Sequence, residues 1–189
     1  MPTIPTTLPT IRLALLETEH EVAKYFESLS AEEFARPLDG TWSPAEHLSH
    51  LNTAVSAVAR GFSVRPWQLR LRFGRARRPS RSYEQLREDY RAVLAAGGKA
   101  TRAYVPAREE APDREALLAR WARVNGRLRE ALAGWGEGEM DRVVMPHPLL
   151  GKLTARELAF FTVYHGTHHV EAVKRRLGIS DQTVPGGRS

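Results

Sequence analysis

Seven histidines and no cysteine set the chemistry open to this 189-residue chain. Three of them share one short stretch, His165-Gly166-Thr167-His168-His169. At about 100° per residue, His169 lies about 40° from His165 on a helical wheel, and Leu158 and Phe161 fall close to the same line. Two imidazoles at i and i+4 on an apolar stripe are spaced to hold one metal ion, as the histidine pair of a zinc-protease helix is. Protease chemistry is excluded, because Gly166 stands where such enzymes carry a glutamate base. Gly166 costs a helix about 1 kcal/mol relative to alanine, which implies that another element approaches that turn closely.

The plainer alternative is a pair of histidines satisfied by hydrogen bonds, but each ring would then need its own buried partner. A third ligand must come from another element, and His20, His47, His50 and His147 are the candidates. By wheel arithmetic His47 lies nearer than His50 to the centre of the Leu51/Val58 face, so spacing alone ranks the two equally. His168 is about 60° off the axis and reads as a supporting or surface residue. His147, flanked by Pro146 and Pro148, reads as a loop residue. Three neutral imidazoles leave a metal with an open position, the catalytic pattern. Such an ion lowers the pKa of water to about 7, polarises a carbonyl, or holds an external thiol as thiolate. Glu46 and Glu157 are explained by helix capping and are assigned no catalytic role, so nucleophile activation rests on the metal.

The elements that must position these residues are helices. Residues 1–9, with Pro2, Pro5 and Pro9, read as an extended lead-in. From Thr10 onward, Ile11, Leu15, Leu16, Val22, Phe26 and Leu29 predict a helix, and Ser30–Phe34 reads as a turn. Ser43, Pro44 and Glu46 form an N-cap, a first-turn proline and a capping box. They start a second helix with Leu48, Leu51, Val55, Val58 and Phe62 inward. Ser82 with Gln85 opens a third, which stops at Gly97-Gly98. Leu117, Trp121, Val124, Leu128, Leu132 and Trp135 follow bundle spacing after the cap at Asp113. Thr154 with Glu157 opens the last helix, after a loop at Val143–Leu150. The expected helices are 11–29, 44–61, 83–96 or beyond, 114–133 and 155–177. The fold class is all-α, an up-and-down four-helix bundle with long connections in a single domain, 1–189, and 181–189 reads as a disordered tail. Five segments for four helices make one an addition or a broken piece. The region 83–107 is expected to be broken, because of Gly97 and Gly98.

Hydrophobic residues at 42% and charged residues at 26% are ordinary for a globular domain and exclude disordered and fibrous classes. The absence of cysteine excludes disulfide scaffolds, thiolate zinc fingers and iron–sulfur clusters. No run reaches the ~18 apolar residues of a membrane helix, and no secretory leader is recognisable, so a cytoplasmic location is expected. The net charge of +6 is local. Between Glu46 and Glu84 there is no acidic residue, while Arg60, Arg65, Arg70, Arg72, Arg75, Arg77, Arg78 and Arg81 fall there. The rest of the chain is close to neutral, which weakens a nucleic-acid reading. Within residues 60–81, Phe62, Val64, Trp67, Leu69, Leu71 and Phe73 alternate with the arginines. A short extended piece is expected over Trp67–Phe73. Trp67, Leu69 and Leu71 are expected to pack against protein, as a lid or at a homodimer interface, with most arginines facing solvent or an anionic ligand.

Trp42-Ser43-Pro44-Ala45-Glu46-His47-Leu48-Ser49-His50-Leu51 resembles the second-helix motif of the DinB/YfiT-like superfamily, Trp-Ser-x-x-Glu-x-x-x-His-Leu. His165-Gly166-Thr167-His168-His169 resembles that family's His-x-x-x-His pair, and His147 through Thr154 is similar to a loop found in part of it. The resemblance spans residues 10–178 and implies a four-helix bundle in which His50, His165 and His169 hold one divalent transition metal ion, zinc or nickel. It further implies an enzyme of one of two chemistries, metal-dependent hydrolysis or use of a low-molecular-weight thiol, and the Arg-rich segment, able to hold an anionic thiol, favours transfer of a bacillithiol- or mycothiol-like thiol to an electrophilic small-molecule substrate. The alternatives are a metal-dependent hydrolase, and a non-enzymatic, metal-stabilised stress-response bundle whose Arg-rich segment binds an acidic partner. A homodimer is expected; nucleic acid and membrane are not.

Overall fold

A computed structural model describes residues 4–38 and 41–178, so the expected tail at 181–189 and part of the lead-in lie outside the described residues. The chain runs through α1 (Leu8–Ser28), α2 (Ala31–Ala35), α3 (Pro44–Ser63), α4 (Pro66–Phe73), α5 (Tyr83–Ala95), α6 (Arg114–Ala133), α7 (Glu137–Arg142) and α8 (Ala155–Arg176). A 3-10 turn at Arg102–Tyr104 precedes α6, and strands β1 (Val144–His147) and β2 (Gly151–Thr154) precede α8. α6 packs between α3 and α1, and α8 closes the ring by touching α1 and α3, giving the four-helix bundle. α5 lies outside the ring against α8 and is the additional segment. The break after it is at Gly97, whose φ of 91° favours glycine. No helix among the described residues is long and apolar enough to cross a membrane.

The core follows the predicted faces. Leu48, Leu51, Val55 and Phe62 of α3 and Trp121, Val124, Leu128 and Leu132 of α6 are all buried. The two core tryptophans place their N–H groups on carbonyls, Trp121 on Glu19 at 3.0 Å and Trp135 on Phe62 at 2.8 Å. Burying an indole requires such a partner.

Four local expectations are corrected. The lead-in is shorter, because Thr7 caps α1 and the Thr10 hydroxyl accepts from the Thr7 N–H at 2.9 Å, a box closed by threonine rather than glutamate. Ser30–Phe34 is not a turn; Ser30 and Glu33 form a capping box that opens α2, and Phe34 is buried. The expected loop at Val143–Leu150 is instead β1 and the turn of an antiparallel hairpin that pairs Val144 with Thr154 and Met145 with Leu153, with Gly151 at φ 70° opening β2 right after the turn.

The fourth correction is Trp67–Phe73, which is helical, opened by Pro66 at its first position. Extended backbone would turn residues 67, 69 and 71 to one side. In a helix Trp67 and Leu71 lie about 40° apart, with Leu69 about 160° from both. Leu69 is accordingly 4% exposed, while Trp67 is 54% and Leu71 82% exposed, so Trp67 is only half covered by its own chain and Leu71 hardly at all.

Candidate metal centre

Two helices supply the chemistry. The Ser43 cap starts α3: the Ser43 N–H donates to Glu46 Oε2 at 2.6 Å, and the Glu46 N–H donates to Ser43 Oγ at 3.2 Å. His47 and His50 therefore leave the first turns of α3 on the side that packs against α8. On α8, His165 and His169 stand one turn apart on the buried face. Between them Gly166 fits tightly against α1, where an added Cβ would meet Thr18 Cγ2 at 2.6 Å and Val22 Cγ2 at 3.3 Å. That is the close approach its presence implied.

His165 Nε2 lies 3.2 Å from His50 Nε2 and 3.0 Å from His169 Nε2. All three rings are buried, and their ligating atoms fall within 4.8 Å of one another. His50 Nδ1 donates to the Tyr104 carbonyl at 2.7 Å. Trp42 lies against His50 with ring centres 4.9 Å apart and stacks on His169 at 6.3 Å and 9°, while Phe161 stacks on His165 at 4.8 Å.

Burial pushes His165 and His169 well below the ordinary histidine range, and the neighbouring imidazoles push the same way. Burial also lowers His50, opposed by the Tyr104 carbonyl. The three rings are thus held neutral, the form that ligates metals. The only carboxylate on the surrounding cleft wall among the described residues is Glu46, already used in its cap. Three neutral nitrogens with no carboxylate beside them suit a divalent transition ion. Their 3.0 and 3.2 Å separations match what two nitrogens about 2.0–2.1 Å from one ion span at about 90–110°.

Of the other candidates, His47 is buried at the far side of His169, Nδ1 to Nδ1 at 2.7 Å, and does not join the three converging nitrogens. His147 stands on β1, where the N–H groups of Leu149 and Leu150 donate to its Nδ1 at 3.2 and 3.1 Å. Its ring meets Phe161 at 4.2 Å, and burial lowers its pKa to about 4. His168 is half-buried beside Tyr90, and His20 is exposed on α1. The Tyr104 carbonyl carried no sequence signal, being a backbone group on a connection. Trp42 was visible as part of the motif, but not its place over three imidazoles. Glu157 does more than cap: besides the Thr154 N–H at 3.0 Å, it accepts from Arg78 and from the Arg81 backbone N–H at 2.8 Å.

The triad opens onto a cleft of about 1450 Å³ with Leu158, Phe161, Leu149, Leu94 and Tyr90 on its apolar wall. Arg60, Arg72, Lys99, Arg108 and Arg176 also line it. No carboxylate among the described residues pairs with any of these five.

Solved structures share this fold. TT2238, a four-helix bundle protein, superposes with a TM-score of 0.57 at 18% identity, covering 89% of this chain and 99% of that one. YfiT from Bacillus subtilis, described as a probable metal-dependent hydrolase with an unusual four-helix bundle topology, gives 0.58 at 18% identity, covering 90% and 87%. No curated protein sequence matches the chain. The sequence pattern of the DinB superfamily matches residues 14–173, which take in α3, the hairpin and the histidines of α8, and the chain belongs to that superfamily.

Proposed function

We propose that this protein is a divalent-metal-dependent enzyme whose ion is held by His50, His165 and His169, and that it transfers a low-molecular-weight thiol to an electrophilic small molecule. The observation that carries the reading is the convergence of three buried, neutral imidazole nitrogens at the wall of a large cleft. A bound ion would supply Lewis acidity, lowering the pKa of a thiol or a water beside it. The protein's own part is positioning. The Tyr104 carbonyl and Trp42 fix the His50 ring, and Phe161 fixes His165 and keeps water from that side. In the transfer, sulfur bonds to the electrophilic carbon, the leaving group departs with its electron pair, and the thiol proton passes to solvent, since among the described residues the cleft holds no carboxylate besides the capping Glu46.

Two features favour thiol transfer. A cleft of about 1450 Å³ exceeds the roughly 300–1,000 Å³ of a pocket for one drug-sized ligand, leaving room for thiol and electrophile together. Five cations on its wall, paired with no carboxylate among the described residues, suit an anionic thiol. The test is conjugation of bacillithiol, mycothiol or glutathione to a chloro-aromatic electrophile by the zinc- or nickel-loaded protein. Turnover lost in His50→Ala supports the reading, and turnover equal in wild type and variant ends it. The likeness to YfiT favours a second reading, hydrolysis by an activated water; ester cleavage without thiol would select it. A homodimer belongs to the same proposal, with the outward Trp67 and Leu71 as its contact. Light scattering of wild type beside Trp67→Ser/Leu71→Ser tests it.

A further inference from the structure

His47 reaches the triad from outside. Its Nδ1 lies 2.7 Å from His169 Nδ1 between two buried rings, so one of these nitrogens must carry a proton. The hydrogen-bond inventory of the cluster decides which. A carbonyl only accepts, so His50 keeps its proton on Nδ1 for Tyr104 and offers a lone pair at Nε2. In the metal-free protein the contact between His50 Nε2 and His165 Nε2 then places a proton on His165 Nε2, which must move to Nδ1 before that nitrogen can ligate an ion. That same nitrogen lies 3.0 Å from His169 Nε2, which must therefore present its own lone pair. A neutral His169 with a lone pair at Nε2 has its proton on Nδ1, and His47 Nδ1 accepts it. The proton of His47 is left on Nε2, which is buried and has no partner among the described residues.

We propose that His47 is a positioning residue: by accepting from His169 Nδ1–H, it holds that ring with the Nε2 lone pair aimed at the centre of the triad. Ligating histidines are commonly oriented by a carboxylate or carbonyl. Here a second imidazole does this, one turn before His50 on the same helix. Trp42, edge-on to His47 at 5.6 Å and stacked on His169, braces both rings. The tautomer follows from hydrogen bonding alone; its effect on a bound ion rests on the metal reading above.

The experiment has two arms. Nitrogen-15 NMR of the metal-free protein reads which nitrogen of each ring is protonated; His169 protonated at Nδ1 is expected, and His169 protonated at Nε2 overturns the proposal. Zinc affinity, measured by competition with a chromogenic chelator, is compared for wild type, His47→Leu and His47→Asn, the last retaining an acceptor near the place of Nδ1. The Leu variant is expected to bind about tenfold to a hundredfold more weakly and the Asn variant within about threefold of wild type. Equal affinity in His47→Leu and wild type, or an Asn variant no better than Leu, shows that His47 only packs. If His47→Leu does not fold, by circular dichroism, the Asn variant and the NMR arm decide. A wild type that takes up no zinc ends the metal reading instead, and the tautomer then decides whether His47 orients His169.

Discussion

Each of the three converging imidazoles is held by neighbours of its own chain, and Trp42 lies against two of them. The Tyr104 carbonyl directs His50, Phe161 stacks on His165, and Trp42 stacks on His169. Losing any one ring leaves two nitrogens, too few for a stable site. His50→Ala, His165→Ala and His169→Ala are each expected to lose stoichiometric metal by elemental analysis, while His20→Ala and His168→Ala keep it. Retention of metal by His50→Ala with loss in His47→Ala would reassign the third ligand. Gly166 is the other sensitive position. Alanine would gain about 1 kcal/mol of helix propensity. Its methyl, however, would press on Thr18 Cγ2 at 2.6 Å inside the α1–α8 contact. Overpacking of this kind costs about 1–3 kcal/mol, so Gly166→Ala is expected to lower the melting temperature; an unchanged or higher one would show that α1 moves aside freely.

Among the elements, what the sequence made legible was local and periodic. The capping boxes at Ser43, Ser82 and Thr154 open the helices where they were placed. Helix α4 and the hairpin were misread because both take their conformation from neighbours. Helix α4 packs on β1, so Leu69 has its apolar surface only once β1 is in place, and the two four-residue strands, β1 with Pro146 inside it, form by pairing with each other. The histidines of α8 were legible from spacing, whereas the choice of His50 over His47 needed the family motif, since both lie on the face toward α8.

The arginine connection is anchored to α8 through Glu157. Burial alone would raise this carboxyl, but hydrogen bonds from Arg78, Arg81 and the Arg81 and Thr154 backbone outweigh it and lower its pKa from 4.5 to about 2. The contribution to stability is complete above the unfolded value and is lost as pH falls from about 4.5 toward 2. The buried histidines act in an earlier window. His147, lowered by burial from 6.5 to about 4, begins to favour unfolding once pH drops below 6.5. Melting temperatures measured against pH should therefore fall in two stages, and Glu157→Gln should weaken the second while leaving the first. A variant curve parallel to wild type below pH 4.5 would show that the arginines do not hold this carboxylate charged.

At the scale of the whole molecule, the +6 charge is concentrated in one connection. Part of it is neutralised in place, Arg78 and Arg81 by Glu157 and Arg70 by Glu139. Around the cleft, Arg60 and Arg72 from that segment, on α3 and α4, join Lys99 and Arg108 from the connection after α5 and Arg176 from the end of α8, and none of the five pairs with a carboxylate among the described residues. Cations arriving from four directions around one low-dielectric cavity focus their field into it rather than spreading it over a flat face. A small organic anion with an apolar body is the ligand such a cavity favours over a polyanion, which needs an extended basic surface. Anilinonaphthalene sulfonate is therefore expected to bind with quenching of Trp42, which lines the cleft, and a cationic dye of similar size is not. Affinity should fall several-fold as salt rises from about 0.05 M to about 0.5 M, as screening of exposed charges requires. The Arg60→Ala/Arg72→Ala variant should weaken it at low salt and flatten that dependence. Equal binding of the two dyes, or no effect of the arginine pair, would mean that the cleft selects its occupant by apolar contact alone.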